Sequence, residues 1–159
     1  MSDNYQARLN FIEIVEEVYR ELNFCPPPMT HDHAASLVME LNVDGINYEV
    51  VHNPNINSSC CLLETRLEKI TAFQVDEVLL YLLSQNFDLS RQYRGCFAAD
   101  IEDNTILFNF SLPLKDLRGH DLLQAMRENA AAAKNWLTIL TGLGLAAGTN
   151  AADLSSALA

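Results

Sequence analysis

Apolar and polar residues alternate one by one in the first half of the chain, and this period of two predicts β-strands. Every second residue is apolar between residues 37 and 43 and again between residues 46 and 50. Asp44-Gly45, which separates the two runs, is a typical hairpin turn. A third alternating run extends from Cys60 to Leu67. The pattern therefore predicts three consecutive antiparallel strands with one buried face.

A second pair of strands is predicted further along the chain. Apolar residues alternate with polar or small ones from Tyr93 to Ile101 and from Ile106 to Leu112, on either side of the acidic turn Glu102-Asp103-Asn104. Two apolar-faced strands joined by a short turn form a hairpin. Pro113 is expected to end it, because proline has no N–H to donate to a β-ladder.

Three stretches show the three- to four-residue spacing of amphipathic helices. The first begins near Asp3, has an unusually broad apolar face, and is stopped by the prolines at positions 26–28. The second, from Val75 to about Leu83, is apolar on almost every side. The last carries one apolar stripe: Leu122, Leu123, Met126, Ala130, Ala133, Leu137 and Leu140. The order α-β-β-β-α-β-β-α predicts an α+β fold, a twisted antiparallel sheet flanked by helices.

Length and composition predict a single domain. The chain has 159 residues, of which 49% are hydrophobic, and a chain of this size can bury a core without disulfides or metals. We expect residues 1–142 to form this domain. Residues 143–159, which are rich in Ala, Gly and Ser, are expected to form a flexible tail.

The charge balance restricts the possible partners. The net charge is -11, so nucleic acid and anionic membrane surfaces would be repelled, and no stretch is apolar enough for insertion into a bilayer. Four cysteines, at positions 25, 60, 61 and 96, follow no disulfide pattern. Their spacing favours reduced thiols in a cytoplasmic protein.

Two apolar features exceed what one small domain needs. The first helix has a broader apolar face than the stripe of about 100° that a helix on one side of a sheet requires. The second helix is apolar almost all round. A second subunit is the natural cover for that helix, so a homodimer is predicted. The outward face of the first sheet also carries Val38, Val51 and Leu62 among polar residues, where a partner could cover them.

The order of elements resembles the class I type III secretion chaperones, the CesT or Tir-chaperone family of Gram-negative bacteria. The resemblance extends from the first helix to about Leu140. It includes the acidic composition, the apolar second helix and the segment Phe110-Ser111-Leu112-Pro113-Leu114 before the last helix. It implies a cytoplasmic homodimer connected with virulence that is not an enzyme and uses no cofactor. Such a dimer holds the N-terminal region of a secreted effector as an extended chain, with the secretion ATPase as a further expected partner.

The resemblance also implies which residues make these contacts. Members of the family bind effectors through apolar residues of the first helix and the first three strands. By position, the effector-binding residues here are Phe11, Ile14, Val15, Val18, Val38, Val51 and Leu62. The second helix and the strand after it form the dimer contact, which implies Val78, Leu79, Leu82, Leu83 and Phe97. For each residue the alternative is an ordinary core position.

Two other functions compete with this interpretation. His31 and His33, with His52, could hold a metal ion, and Cys60 with His52 could form a thiol nucleophile and its base. The chain has neither a His-Glu-x-x-His nor a Cys-x-x-Cys motif, so the metal or thiol enzyme is the weaker hypothesis. A further alternative is an adaptor of the same fold that binds a regulatory protein.

Overall fold

The computed structural model describes residues 3–69, 75–92, 95–100 and 102–142. Its elements are α1 (Asp3–Glu21), β1 (Leu37–Val43), β2 (Ile46–His52), α2 (Pro54–Asn57), β3 (Cys60–Lys69), α3 (Val75–Gln92), β4 (Cys96–Asp100), β5 (Thr105–Pro113) and α4 (Gly119–Gly142). The predicted α+β fold is confirmed. The single turn α2 lies between the second and third predicted strands, and α3, the predicted second helix, continues nine residues past Leu83. The predicted strand residues Tyr93 and Ile101 and the predicted tail lie outside the described residues.

The five strands form one antiparallel sheet in the order β1-β2-β3-β5-β4. The β1–β2 turn follows its prediction: Asp44 and Gly45 have φ angles of 53° and 83°, the left-handed conformation that a tight hairpin needs. β1 is one edge of the sheet and β4 is the other. β4 lies beside β5, which pairs with β3, so the second hairpin extends the sheet formed by the first three strands.

The core lies between the inner face of the sheet and the helices. In β1, buried and exposed residues alternate from Leu37 to Val43, as the period of two predicts. Val50 on β2 and Leu63 on β3 are completely buried. Of the predicted stripe on α4, every member is buried except Leu137, which is half-buried. The inner sheet face and the α4 stripe therefore cover each other, together with α1.

Buried polar groups fix α4 on the sheet. The hydroxyl of Tyr48 on β2 donates to the carbonyl of Met126 at 2.8 Å, and Thr65 Oγ1 on β3 donates to Asn129 Oδ1 at 3.1 Å. Burial raises the pKa of Tyr48, so its hydroxyl keeps the proton that it donates. Because an unpaired polar group in the core costs free energy, these bonds favour one placement of α4.

A second cluster fills the space between α3 and the β4–β5 hairpin. Its buried members are Val78, Leu82, Phe97, Ile106, Phe108 and Leu140. Asn86 on α3 anchors the edge strand, since its amide donates to the carbonyl of Phe97 at 3.0 Å and accepts from the N–H of Phe97 at 2.6 Å. The side chain of Asn86 therefore occupies backbone groups that an added strand would use.

The start of α4 is pressed against α1. Glu17 accepts a hydrogen bond from the backbone N–H of Gly119 at 2.7 Å, and its charge lies at the positive end of the α4 dipole. A Cβ at position 119 would overlap the Cβ of Glu17 and come within 2.9 Å of the backbone nitrogen of Val18. Glycine is required here by the close approach of the two helices.

We expect Gly119→Ala to lower the free energy of unfolding by about 3 kcal/mol, because the added methyl group overlaps α1 and a backbone atom cannot yield easily. Urea unfolding at fixed protein concentration measures this loss. Gly45→Ala is the control, since a Cβ at Gly45 meets no atom within 4 Å and only its positive φ is strained. That control should cost about 1 kcal/mol. Equal losses in both variants would contradict the proposed steric overlap.

Candidate functional site

The outer face of the sheet brings three predicted residues into one row. The strand register places Val38 opposite Val51 and Val51 opposite Leu62. Val38 is 49% exposed, and the other two side chains are half-buried. The core clusters that join the sheet to the described helices lie on its other face. We call these three residues the apolar row.

A row of carboxylates lies beside the apolar row. Two residues further along the same strands, Glu40 is opposite Glu49 and Glu49 is opposite Glu64. Burial raises the pKa of Glu64, and the negative charge of Glu49 raises it further. A surface depression of about 440 Å³ is lined by Glu40, Glu49 and Arg66, among other residues. We call Glu40, Glu49 and Glu64 the carboxylate row.

Arg66 ties the carboxylate row to the other end of the sheet. Its guanidinium forms ion pairs with Glu49 at 3.2 Å, Asp100 at 3.3 Å and Asp103 at 3.2 Å. These hydrogen-bonded carboxylates raise the pKa of Arg66, with Glu49 as the largest contributor. The three acidic partners come from two separate parts of the sequence, so spacing along the chain could not predict this network.

The four predicted effector-binding residues on α1 are in the core. Phe11, Ile14, Val15 and Val18 are at most 2% exposed and belong to the main cluster. The apolar face of α1 is broader than contact with the sheet alone requires, because α4 covers this helix as well. In this protomer they have no surface to offer a peptide, so they occupy ordinary core positions. Their role in effector binding stays a prediction.

Next to these residues, His52 and Arg8 form a buried polar pair that the sequence did not predict. The His52 ring stacks on Phe11 with 5.2 Å between centroids, and its Nε2 lies 3.1 Å from the carbonyl of Ser58. Burial lowers the pKa of His52, and the nearby charge of Arg8 lowers it further. Arg8 is itself buried, and it donates to the carbonyl of Ala35. A neutral histidine beside a buried arginine is a structural arrangement, not a metal ligand set.

The residues of the metal hypothesis are not brought together as one site. His31 and His33 are exposed, and His33 meets the ring of Tyr5 edge-on, with 6.1 Å between centroids. Within residues 3–69, 75–92, 95–100 and 102–142, no group of three or more His, Cys, Asp or Glu side chains is arranged to hold a metal ion.

The thiol hypothesis gains no support from the geometry either. The hydrogen bond of His52 goes to a backbone carbonyl, and Cys60 Sγ lies 3.8 Å from the hydroxyl of Ser59. Burial raises the pKa of the neighbouring Cys61 to about 12, the opposite of what an activated nucleophile needs.

The predicted dimer residues divide into two groups. Val78, Leu82 and Phe97 are buried in the protomer's own second cluster, whereas Leu79 and Leu83 are exposed. Two further residues of α3 belong to the exposed group: Leu80 and Phe87 are 69% and 59% exposed. Leu80, Leu83 and Phe87 follow an i, i+3, i+7 spacing that puts them on one helix face. Extending the helix past Leu83 would have revealed Phe87.

The inner side of the sheet also has an open groove. It has a volume of about 410 Å³ and lies between β5, α3 and α4, lined by Leu89, Phe108, Phe110, Leu112, Ala125, Glu128, Asn129, Ala132 and Trp136. It was missed because periodicity marks β5 and α4 as packing partners and does not show where they separate. No described helix is long and apolar enough to cross a membrane.

The comparisons with known proteins agree with the fold. The family model of the Tir chaperone protein (CesT) family matches residues 13–137, so the chain belongs to this family of chaperones. The predicted resemblance is confirmed. No curated protein matches the sequence.

Several solved structures share the fold. A structure of the HopA1-SchA chaperone-effector complex has a TM-score of 0.60 at 14% identity, covering 84% of this chain and 97% of that one. The ExsC-ExsE complex has a TM-score of 0.63 at 14% identity, covering 84% and 93%. The Yersinia pestis type III secretion chaperone SycH, in complex with a stable fragment of YscM2, has a TM-score of 0.52 at 18% identity, covering 77% and 95%.

We expect acid to destabilise the protein partly through His52. The depressed pKa means that folded His52 stays neutral, while the unfolded histidine binds a proton below about pH 6.5. Its contribution is complete above pH 6.5 and is lost as the pH falls toward the folded pKa. His52→Gln should therefore reduce the loss of stability between pH 7.5 and 5.5 by at most about 1.4 kcal/mol.

Urea unfolding at both pH values measures this effect. His33→Gln is the matched control, since His33 is exposed. A pH dependence that is identical in the wild-type protein and in the His52→Gln variant would show that His52 does not contribute.

Proposed function

We propose that this protein is a type III secretion chaperone that binds the N-terminal segment of a secreted effector and keeps it extended, soluble and competent for secretion. It works as a homodimer in the bacterial cytoplasm, without catalysis or a cofactor. The observation that carries the proposal is the partly exposed apolar row, Val38, Val51 and Leu62, which no described helix covers, in a chain that belongs to a chaperone family. Contiguous exposed apolar residues often mark sites of protein–protein interaction.

The sheet edges support binding of an extended chain. An extended peptide can add a strand to an open edge while its side chains enter neighbouring apolar sites. The β4 edge is obstructed at Phe97 by Asn86. The β1 edge carries Val38, and the contact there from a described helix is a 3.4 Å hydrogen bond from Tyr19 to the carbonyl of Glu40. β1 is therefore the better edge for an added strand.

The exposed face of α3 supports the homodimer. Leu79, Leu80, Leu83 and Phe87 are large apolar side chains on one helix, and each is more than a third exposed. Burial of apolar area is the main driving force of stable subunit contacts. Two copies of the chain that place these faces together would bury all four residues on each side.

Co-purification tests the proposed function directly. The tagged protein would be isolated from its own organism, its partner identified by mass spectrometry, and the complex treated with a protease. We expect a dimer that carries one partner chain, with protection confined to a segment near the partner's N-terminus. A dimer that carries no partner, or protection of a folded domain of the partner, would contradict the proposal.

Removing apolar area from the row should weaken effector binding. We expect Val38→Ser combined with Leu62→Ser to lower the affinity for the effector at least about tenfold, because roughly 1 kcal/mol of apolar burial is lost at each position. Isothermal titration calorimetry with the identified effector segment measures the change in affinity. Phe24→Ser is the control, since Phe24 is an exposed apolar residue outside the sheet. Unchanged affinity in the double variant would exclude the row as the binding surface.

Charge on the exposed face of α3 should separate the subunits. We expect Leu80→Asp combined with Leu83→Asp to give a folded monomer, because two buried and unpaired carboxylates on each side cost several kcal/mol. Analytical ultracentrifugation reports the mass and circular dichroism reports the fold. Ile56→Asp, at an exposed apolar residue of α2, should remain dimeric. A double variant that stays dimeric would place the interface elsewhere.

A further inference from the structure

We propose that the outer sheet face selects effector segments in which a lysine or arginine lies close to an apolar residue. The apolar row receives the apolar side chain, and Glu40 and Glu64 receive the cation. This inference rests on the proposed function and adds to it the chemistry of the segment that is bound.

The geometry places the two rows within reach of one short segment. Glu40 follows Val38 by two residues on β1, and Glu64 follows Leu62 by two residues on β3. Two residues along a strand span about 7 Å. Lysine and arginine have long apolar stems that lie along apolar surface while their charged ends extend beyond it. A stem on Val38 or Leu62 would therefore bring its cation to the adjacent carboxylate.

The charges of this face leave two positions for a cation from outside. Arg66 forms a 3.2 Å ion pair with Glu49 and also forms ion pairs with Asp100 and Asp103. Among the ion pairs of the described residues, none involves Glu40 or Glu64. Glu64 is half-buried, and burial together with the charges of Glu49 and Asp100 raises its pKa more than the charge of Arg66 lowers it. A partner's cation would relieve this repulsion, whereas an acidic segment would increase it.

The charge of the whole chain acts in the same direction. A net charge of -11 attracts basic segments over long distances and repels acidic ones. This attraction raises the rate of encounter but does not place a cation at any position. A test must therefore separate the two glutamates from the overall charge.

Three synthetic peptides with the same leucine and serine positions provide the probe. They carry lysine, glutamine or glutamate at the remaining positions, and their binding to the full chain is measured by fluorescence anisotropy. We expect the lysine peptide to bind tightest and the glutamate peptide weakest. Glu40→Gln combined with Glu64→Gln should weaken binding of the lysine peptide about 3- to 10-fold and leave the glutamine peptide unchanged.

The matched control removes the same two charges from the other side of the sheet. Glu21→Gln combined with Glu128→Gln changes exposed residues of α1 and α4, so the net charge is equal in both double variants. We expect this control to bind the lysine peptide nearly as well as the wild-type protein does. An equal loss in both double variants would overturn the proposal, because only the overall charge would then matter.

The remaining outcomes separate this inference from the proposed function. Should Val38→Ser with Leu62→Ser weaken all three peptides while the Glu40 and Glu64 substitutions leave the lysine preference intact, the apolar row binds peptide and the selection of cations is wrong. Should a folded dimer bind none of the peptides, both the row and the selection are wrong. Circular dichroism of each variant verifies that the protein is folded.

Discussion

Among the described residues, helices cover the sheet on one face only, and the rest of the described structure follows from this constraint. α1 and α4 share the inner face, and they approach so closely that Gly119 contacts Glu17 without room for a side chain. The hydrogen bonds of Tyr48 and Thr65 then fix α4 above the strands. Because α1, α3 and α4 all pack on this side, no described long helix remains to cover the outer face.

An open sheet face is useful only if the protein stays soluble. The apolar row is narrow, and the next outward-facing residues on the same strands are the glutamates of the carboxylate row, of which Glu40 is exposed. The same arrangement is the basis of the proposed preference for basic segments, since the negative charge of this face attracts cations. The exposed face of α3 is a separate apolar surface: Leu79, Leu80, Leu83 and Phe87 are each more than a third exposed, and this exposure is the basis of the proposed homodimer.

The strands and the last helix could be predicted because their patterns depend on local chemistry. Alternation from Leu37 to Val43 reports one buried face whatever covers it, and Asp44-Gly45 adopts its turn through its own backbone preference. The assignment of α1 residues to a peptide surface could not be made in this way. Phe11 and Val15 pack against other elements of the protomer, and a helix that binds an external peptide would show the same apolar spacing.

The sequence by itself determined the order of the long helices and the strands, the inward and outward sides of β1 and β2, and the family to which the chain belongs. These properties depend on residues close together along the chain. Only the tertiary structure decided that Val38, Val51 and Leu62 form a row, that Arg66 joins Glu49 to Asp100, and that Leu80 faces outward. Such contacts depend on strand register and helix placement, which many weak interactions across the whole core determine together.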